Sequence, residues 1–315
     1  MDLQRIIWLA SYPKSGNTWL RLLLANYFQP GDAPVDINQI HRFATSDTRQ
    51  DFFDRAAGRR FIAQDVEDWL AVRPRALRLI AASKPGHQFV KTHCRIGRMN
   101  GQITIPPALT AGAVYIHRNP FDVAVSYARH QVIGINEAIV LMADRKALNA
   151  SESGIFDTIG RWDDHIESWL RPEGLWRHAI RYEDMTADTE QAMRLLLTFL
   201  KVPVEDGKLR RAIRWSSFDS LKRQEQEKGF IERPPKMKRF FASGRAGEWR
   251  ETLTPAQISR IRTEFAVALE EFYPELHAET AKSVVRKRAG SASDRTAERH
   301  ERAGGYRYAD RGGGT

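Results

Sequence analysis

The sequence is expected to fold as a three-layer α/β domain, with a central, mainly parallel β-sheet flanked by helices. Three observations carry this. Short apolar runs of strand length alternate with helical patterns along most of the chain. The first run passes through a small polar loop straight into a helical segment. The composition, 315 residues with 42% hydrophobic and 28% charged, is that of a globular chain long enough for a sizeable core. It excludes a wholly disordered, collagen-like or disulfide-stapled protein.

Residues 6–10 read as the first strand and 20–27 as the first helix. Apolar runs at 88–91, 113–117 and 178–182 read as further strands, bounded by polar turns. Helical patterns fall at 120–131, 137–148, 157–170, 189–200 and 255–272. Residues 31–60, 95–107 and 223–245, the last with Pro234 and Pro235, lack periodicity and are expected to be functional lids or mobile surface.

The formal net charge is +10, from 49 Lys and Arg against 39 Asp and Glu. Residues 281–315 hold nine of those basic residues and four of the acids, so +5 belongs to this stretch. With Gly290, Gly304, Gly305 and Gly312 and few apolar side chains, it reads as a basic, Gly-rich, disordered C-terminal tail. The remainder, 1–280, reads as one domain. Such a tail keeps open a non-enzymatic nucleic-acid-binding protein, although a solvated extension accounts for it as well.

No apolar run approaches the roughly 18 residues of a membrane helix, and the first residues carry no secretory pattern. No membrane partner is therefore expected. A lone cysteine, Cys94, cannot form an intramolecular disulfide or a thiolate metal cage. A reducing cytoplasm is the expected location.

The loop from the first strand into the first helix offers backbone N–H groups and a positive helix end to a phosphate. Ser15, Gly16, Asn17 and Thr18 would point N–H groups at it, and Lys14 and Thr18 would add side-chain donors. This makes the domain P-loop-like, yet Ser11 stands at the first glycine position of G-x-x-x-x-G-K-[S/T] and Asn17 at the lysine. A Mg²⁺-dependent nucleotide kinase or NTPase stays an alternative, weakened by that missing lysine.

The run Tyr12-Pro13-Lys14-Ser15-Gly16-Asn17-Thr18-Trp19 resembles the 5′-phosphosulfate loop of sulfotransferases that use 3′-phosphoadenosine 5′-phosphosulfate (PAPS). Further segments match in order. Lys91-Thr92-His93 resembles the family's catalytic K-x-H, and Arg118 to Ser126 its 3′-phosphate segment R-N-x-x-D-x-x-x-S. Arg181-Tyr182-Glu183-Asp184 resembles its Y-E-D strand end, Ser216-Ser217-Phe218 its adenine-flanking stretch, and Gly244 to Trp249 its G-x-x-G-[D/E]-W.

The resemblance implies transfer of a sulfuryl group from PAPS to a hydroxyl or amine of a small-molecule acceptor. His93 would be the general base, with Lys91 and Lys14 also catalytic. The cofactor would be held by Lys14, Ser15, Gly16, Asn17, Thr18, Trp19, Arg118, Ser126, Tyr182, Ser216, Phe218, Ser243, Gly244 and Arg245. No metal is expected. His93 and Lys91, two apart at a strand end, share one face and project into the crevice where such sheets bind ligands. His41, His117 and His130 lack a comparable setting.

Two departures qualify the match. The family's R-K-G falls on Ala242-Ser243-Gly244, so Arg239 or Arg245 would have to reach the 3′-phosphate, or Arg118, Ser126 and backbone groups suffice. The cytosolic members' K-x-x-x-T-V-x-x-x-E dimer motif falls on residues 250–259, where Pro255 and Ser259 break it, and oligomeric state is left open. The acceptor-facing segments, 31–60, 95–107, 136–156 and 223–239, do not specify an acceptor.

Overall fold

The computed structural model describes residues 5–150 and 154–280. The expected tail at 281–315 lies outside the described residues. The chain divides into two compact units, Met1–Leu253 and Thr254–Thr315.

The first unit is built on five parallel strands in the order β2-β3-β1-β6-β9: β1 (Ile6–Ala10), β2 (Thr45–Ser46), β3 (Gln88–Thr92), β6 (Thr110–His117) and β9 (Arg177–Arg181). Two small antiparallel hairpins stand apart from it, β4 (Arg98–Met99) with β5 (Gln102–Ile103), and β7 (Leu148–Ala150) with β8 (Phe156–Thr158). The helices are α1 (Asn17–Phe28), α2 (Ile40–Phe43), α3 (Gln50–Ala57), α4 (Val66–Ala81), α5 (Pro120–Gln131), α6 (Ile135–Ala143) and α7 (Trp162–Leu170). They continue with α8 (Tyr182–Ala187), α9 (Thr189–Phe199), α10 (Asp206–Trp215), α11 (Phe218–Lys228) and α12 (Trp249–Thr252).

Strand β1 lies between β3 and β6, and Ile6, Trp8, Leu9 and Ala10 are wholly buried, as a parallel strand covered on both faces requires. On one face α1 sets Leu20, Leu23, Leu24 and Tyr27 against Val114, Ile116 and Ile180 of the sheet and Met193, Leu196 and Leu197 of α9. Each such side chain stabilises the fold by about 1.5–3 kcal/mol. Because the strands are parallel, the residues that follow β1, β3, β6 and β9 emerge along one edge. Those are the 11–16 loop, His93, Arg118 and Tyr182.

In the second unit α13 (Pro255–Glu264) starts at a Thr254 capping box with Gln257, and α14 (Ala266–Phe272) follows. The expected helix 255–272 breaks at Phe265, whose φ of −118° and ψ of 30° leave the helical region. Two other expected helices are shorter than read. Asp157 and Thr158 belong to β8, so α7 begins at Trp162; α6 ends at Ala143, and Leu148 lies in β7. The segments without periodicity hold α2, α3, the β4–β5 hairpin and the end of α11. Among the described residues no helix is long and apolar enough to cross a membrane.

Candidate active site

A cavity of about 690 Å³ opens where the strands end. Gly16 caps α1 with φ 104°, no side chain caps the helix, and its first turn carries no acid. The first N–H groups and the positive end of the helix are thereby kept for an anion. A Cβ on Gly16 would lie 2.6 Å from Tyr182 Cδ2 and 3.0 Å from Ile116 Cδ1, so both conformation and space demand glycine. Asn17 Nδ2 donates to the Leu9 carbonyl at 2.8 Å, tying the helix start to β1.

Lys14 also has a left-handed backbone, φ 66°. Its ammonium lies 4.3 Å from the centre of the Phe240 ring and donates to His130 Nδ1 at 3.3 Å. Burial, then the Arg118 and Lys91 charges, pull Lys14 down to about 7, against a smaller opposing pull from Glu232. The same burial, with Lys14 and Lys91 nearby, holds His130 neutral at about 3.

His93 is half-buried at the cavity wall beside Lys91. Its Nδ1 lies 2.8 Å from the Ser11 carbonyl, which only accepts, so Nδ1 carries the proton and Nε2 carries the lone pair. Its own carbonyl accepts from His165 Nε2 at 3.1 Å, and His165 Nδ1 accepts from the Tyr115 hydroxyl at 2.9 Å. Burial first, then Lys91, holds the His93 pKa well below the ordinary 6.5. The imidazole is therefore neutral around pH 7.

Arg118, 7% exposed, lays its guanidinium 4.3 Å from the Tyr182 ring centre and donates to the Arg245 carbonyl at 2.8 Å. Its buried Nε has no protein partner. Tyr182 donates its hydroxyl to the Gly244 carbonyl at 3.0 Å and meets Trp19 edge-on at 5.9 Å. Gly244 turns with φ 66° against Phe218, where a Cβ would come within 2.3 Å of Cδ2. Trp19, Tyr182 and Phe218 thus form one aromatic wall of the cavity, with half-buried Ser126 also lining it.

A family model for the sulfotransferase domain matches residues 4–273. The chain belongs to the sulfotransferase family. Relatives of this sulfotransferase include cytosolic sulfotransferase 15 of Arabidopsis thaliana, 26% identical over 82% of this chain and 70% of the relative. The amine sulfotransferase of Oryctolagus cuniculus is 23% identical over 84% of this chain and 81% of its own. In structure, the chain resembles mouse sulfotransferase SULT7A1 complexed with PAP, with TM-score 0.56, 20% identity and 86% of each chain covered.

The fold brings Lys14, Gly16, Asn17, Thr18, Trp19, Lys91, His93, Arg118, Ser126, Tyr182, Phe218, Ser243 and Gly244 of this sulfotransferase to one cavity. It does not bring the side chains of Ser15, Ser216 and Arg245 there. Ser15 is wholly buried, and its N–H closes a turn onto the Tyr12 carbonyl at 3.3 Å. Ser216 is buried too; its hydroxyl accepts from Asn26 at 2.9 Å and its carbonyl from Trp19 Nε1 at 2.9 Å, so it positions the tryptophan. The Arg245 side chain is exposed and pairs with Glu251 at 3.4 Å, leaving its carbonyl to Arg118. Arg239 lines a different, smaller cavity.

Sequence reasoning missed several wall residues of the sulfotransferase. His41 and His130 line the cavity despite their unremarkable sequence setting. Arg21, 1% exposed, forms a bidentate pair with Glu232 at 2.9 and 2.6 Å, pinning the 229–245 segment to α1. Asp122 accepts from the Gly247 and Trp249 N–H groups at 2.7 and 3.0 Å and so holds the start of α12, just beyond that segment, against α5. The Asp of the R-N-x-x-D run was a visible signal for this last contact.

Proposed function

We propose that this sulfotransferase transfers a sulfuryl group from PAPS to a hydroxyl or amine of a small acceptor, with His93 Nε2 as general base. The observation that carries the base assignment is the Nδ1 contact to the Ser11 carbonyl, which fixes the tautomer that leaves Nε2 ready to accept. Three features support the fit to PAPS. The α1 start is uncapped and free of acids, Gly16 makes a cradle that a Cβ would fill, and Arg118 Nε is buried without a partner. The PAP in the mouse structure points to the same nucleotide.

When bound, PAPS supplies the sulfuryl group and leaves as adenosine 3′,5′-bisphosphate. The acceptor's oxygen or nitrogen forms the new bond to sulfur as the bond from sulfur to the bridging phosphate oxygen breaks. His93 Nε2 takes the acceptor's proton. Lys14, Lys91 and the loop N–H groups meet the negative charge that gathers on the departing phosphate. Trp19, Tyr182 and Phe218 offer ring faces and edges to the adenine.

The acceptor side is lined by His41, Ser46, Arg49, Asn149, Ile231 and Met237, drawn from three of the acceptor-facing segments, 31–60, 136–156 and 223–239. An acceptor panel with PAPS, read out as PAP release, tests the activity. His93→Ala is expected to lower kcat by about 10²- to 10⁴-fold on any acceptor found. Turnover near that of the unaltered enzyme would sink the assignment of the base.

A further inference from the structure

We infer that Arg129 is the second guanidinium of the 3′-phosphate station, and so decides preference for 3′-phosphorylated over plain 5′-nucleotides. The inference rests on the PAPS reading above and adds a residue to it. Arg129 sits on α5 one turn beyond Ser126, and residues three apart share a helix face. Both line the cavity, as Arg118 does, and the Arg118 charge acts on Glu248, the partner of Arg129.

Arg118 alone is poorly equipped for a phosphate dianion. One of its terminal nitrogens is committed to the Arg245 carbonyl at 2.8 Å and stands 3.6 Å from the Asp122 carboxylate. The 229–245 loop brings Ala242 and Ser243 to the cavity, and none of its cations, Arg233, Lys236, Lys238, Arg239 and Arg245, lines it. Of the other arginines lining the cavity, Arg21 is held bidentately by Glu232, and Arg49 pairs with Asp51 at 2.7 Å.

Arg129 is held differently. Glu248 takes its Nη2 at 2.6 Å and its Nη1 at a looser 3.5 Å, and also accepts from the Ser243 hydroxyl at 2.7 Å. The Glu248 carboxylate is held below its usual range by Arg129 and Ser243, with Arg118 contributing, although burial works against this. A carboxylate bonded by the Arg129 guanidinium and a hydroxyl, within the field of the Arg118 charge, marks a place built to hold an anion. Arg129 retains planar fork geometry suited to a phosphate, and its half-exposed side chain can turn from Glu248 toward an arriving ligand.

The test is calorimetric titration of the full chain with adenosine 3′,5′-bisphosphate and with adenosine 5′-monophosphate. Arg129→Met is expected to weaken the bisphosphate about 10- to 100-fold, the loss of one charge-assisted bidentate contact, and the monophosphate less than about 3-fold. Arg129→Lys should recover part of the loss. The double variant Arg129→Met with Glu248→Gln should keep it, because the loss comes from the missing guanidinium and not from a bare carboxylate. Equal loss for both nucleotides, no loss for the bisphosphate, or recovery in the double variant overturns the role of Arg129. If the unaltered protein itself fails to prefer the bisphosphate, the PAPS reading falls and the inference falls with it.

Discussion

At the residue scale, the proposed chemistry turns on two small features, a tautomer and a missing Cβ. The Ser11 carbonyl holds the proton on His93 Nδ1, and burial together with Lys91 keeps the ring from charging at Nε2. In the proposed mechanism the active form is the neutral ring, so acid should inhibit only below the depressed pKa. The acid limb of kcat/KM for PAPS against pH, which reports the unliganded protein, is therefore expected below the ordinary 6.5, and a limb centred at or above 6.5 would contradict a base desolvated beside Lys91. Gly16 is the second feature. Gly16→Ala must hold φ near 104° and drive Tyr182 away from a 2.6 Å clash, which displaces the ring under Arg118. Nucleotide affinity is expected to fall at least about 10-fold, the scale of a 1–3 kcal/mol backbone strain. Titration with PAP checks this, and an unchanged Kd would mean that the cradle is not where the phosphate sits.

At the element scale, the end of β3 is clamped from behind. Asp47 donates its N–H to the Lys91 carbonyl at 3.1 Å, accepts the Thr92 hydroxyl at 2.9 Å and pairs with buried Arg73 at 2.8 Å. Cys94 and Asp157 bring their ligand-type atoms within 4.8 Å of Asp47 and of each other, and Arg73 also donates to Cys94 Sγ at 3.6 Å. Arg73→Met would strand the Asp47 carboxylate beside Asp157 in a buried site. A loss of about 3–5 kcal/mol is expected in denaturant unfolding, and a change under 1 kcal/mol would show that the carboxylates do not need the guanidinium. None of this clamp was legible in the sequence. Asp47 follows a two-residue strand, and Arg73 lies on α4, whose interior Pro74 and scattered charges blur its period. What was legible is what local chemistry dictates: the glycine turn into α1, the Lys91-x-His93 strand end, and Arg118 with the Asn119-capped α5. Ser216 shows the limit, since a residue beside a wall aromatic in sequence faced the core in space.

At the scale of the whole molecule, the net charge of +10 matters less than where like charges are forced together. Lys14, Lys91 and Arg118 line one cavity, and Lys14 yields first, held down to about 7 against its usual 10.5. A lysine whose folded pKa lies below its unfolded value favours the fold most when deprotonated. Its contribution is present at high pH and is lost as pH falls from about 10.5 toward about 7. The empty protein is thus strained by the very charges proposed to receive the nucleotide, and an anion binding there would relieve the strain by mass action. An anion beside Lys14 raises its pKa again, so above about pH 7 nucleotide binding must take up a proton and weaken as pH rises. Titration of PAP at pH 8 in two buffers of different ionisation enthalpy reads this uptake directly. A positive proton count is expected for the unaltered chain and a markedly smaller one for Lys14→Arg, which stays charged. No uptake in the unaltered chain would mean that Lys14 is already charged in the empty cavity, and that its burial against Arg118 and Lys91 does not set its state.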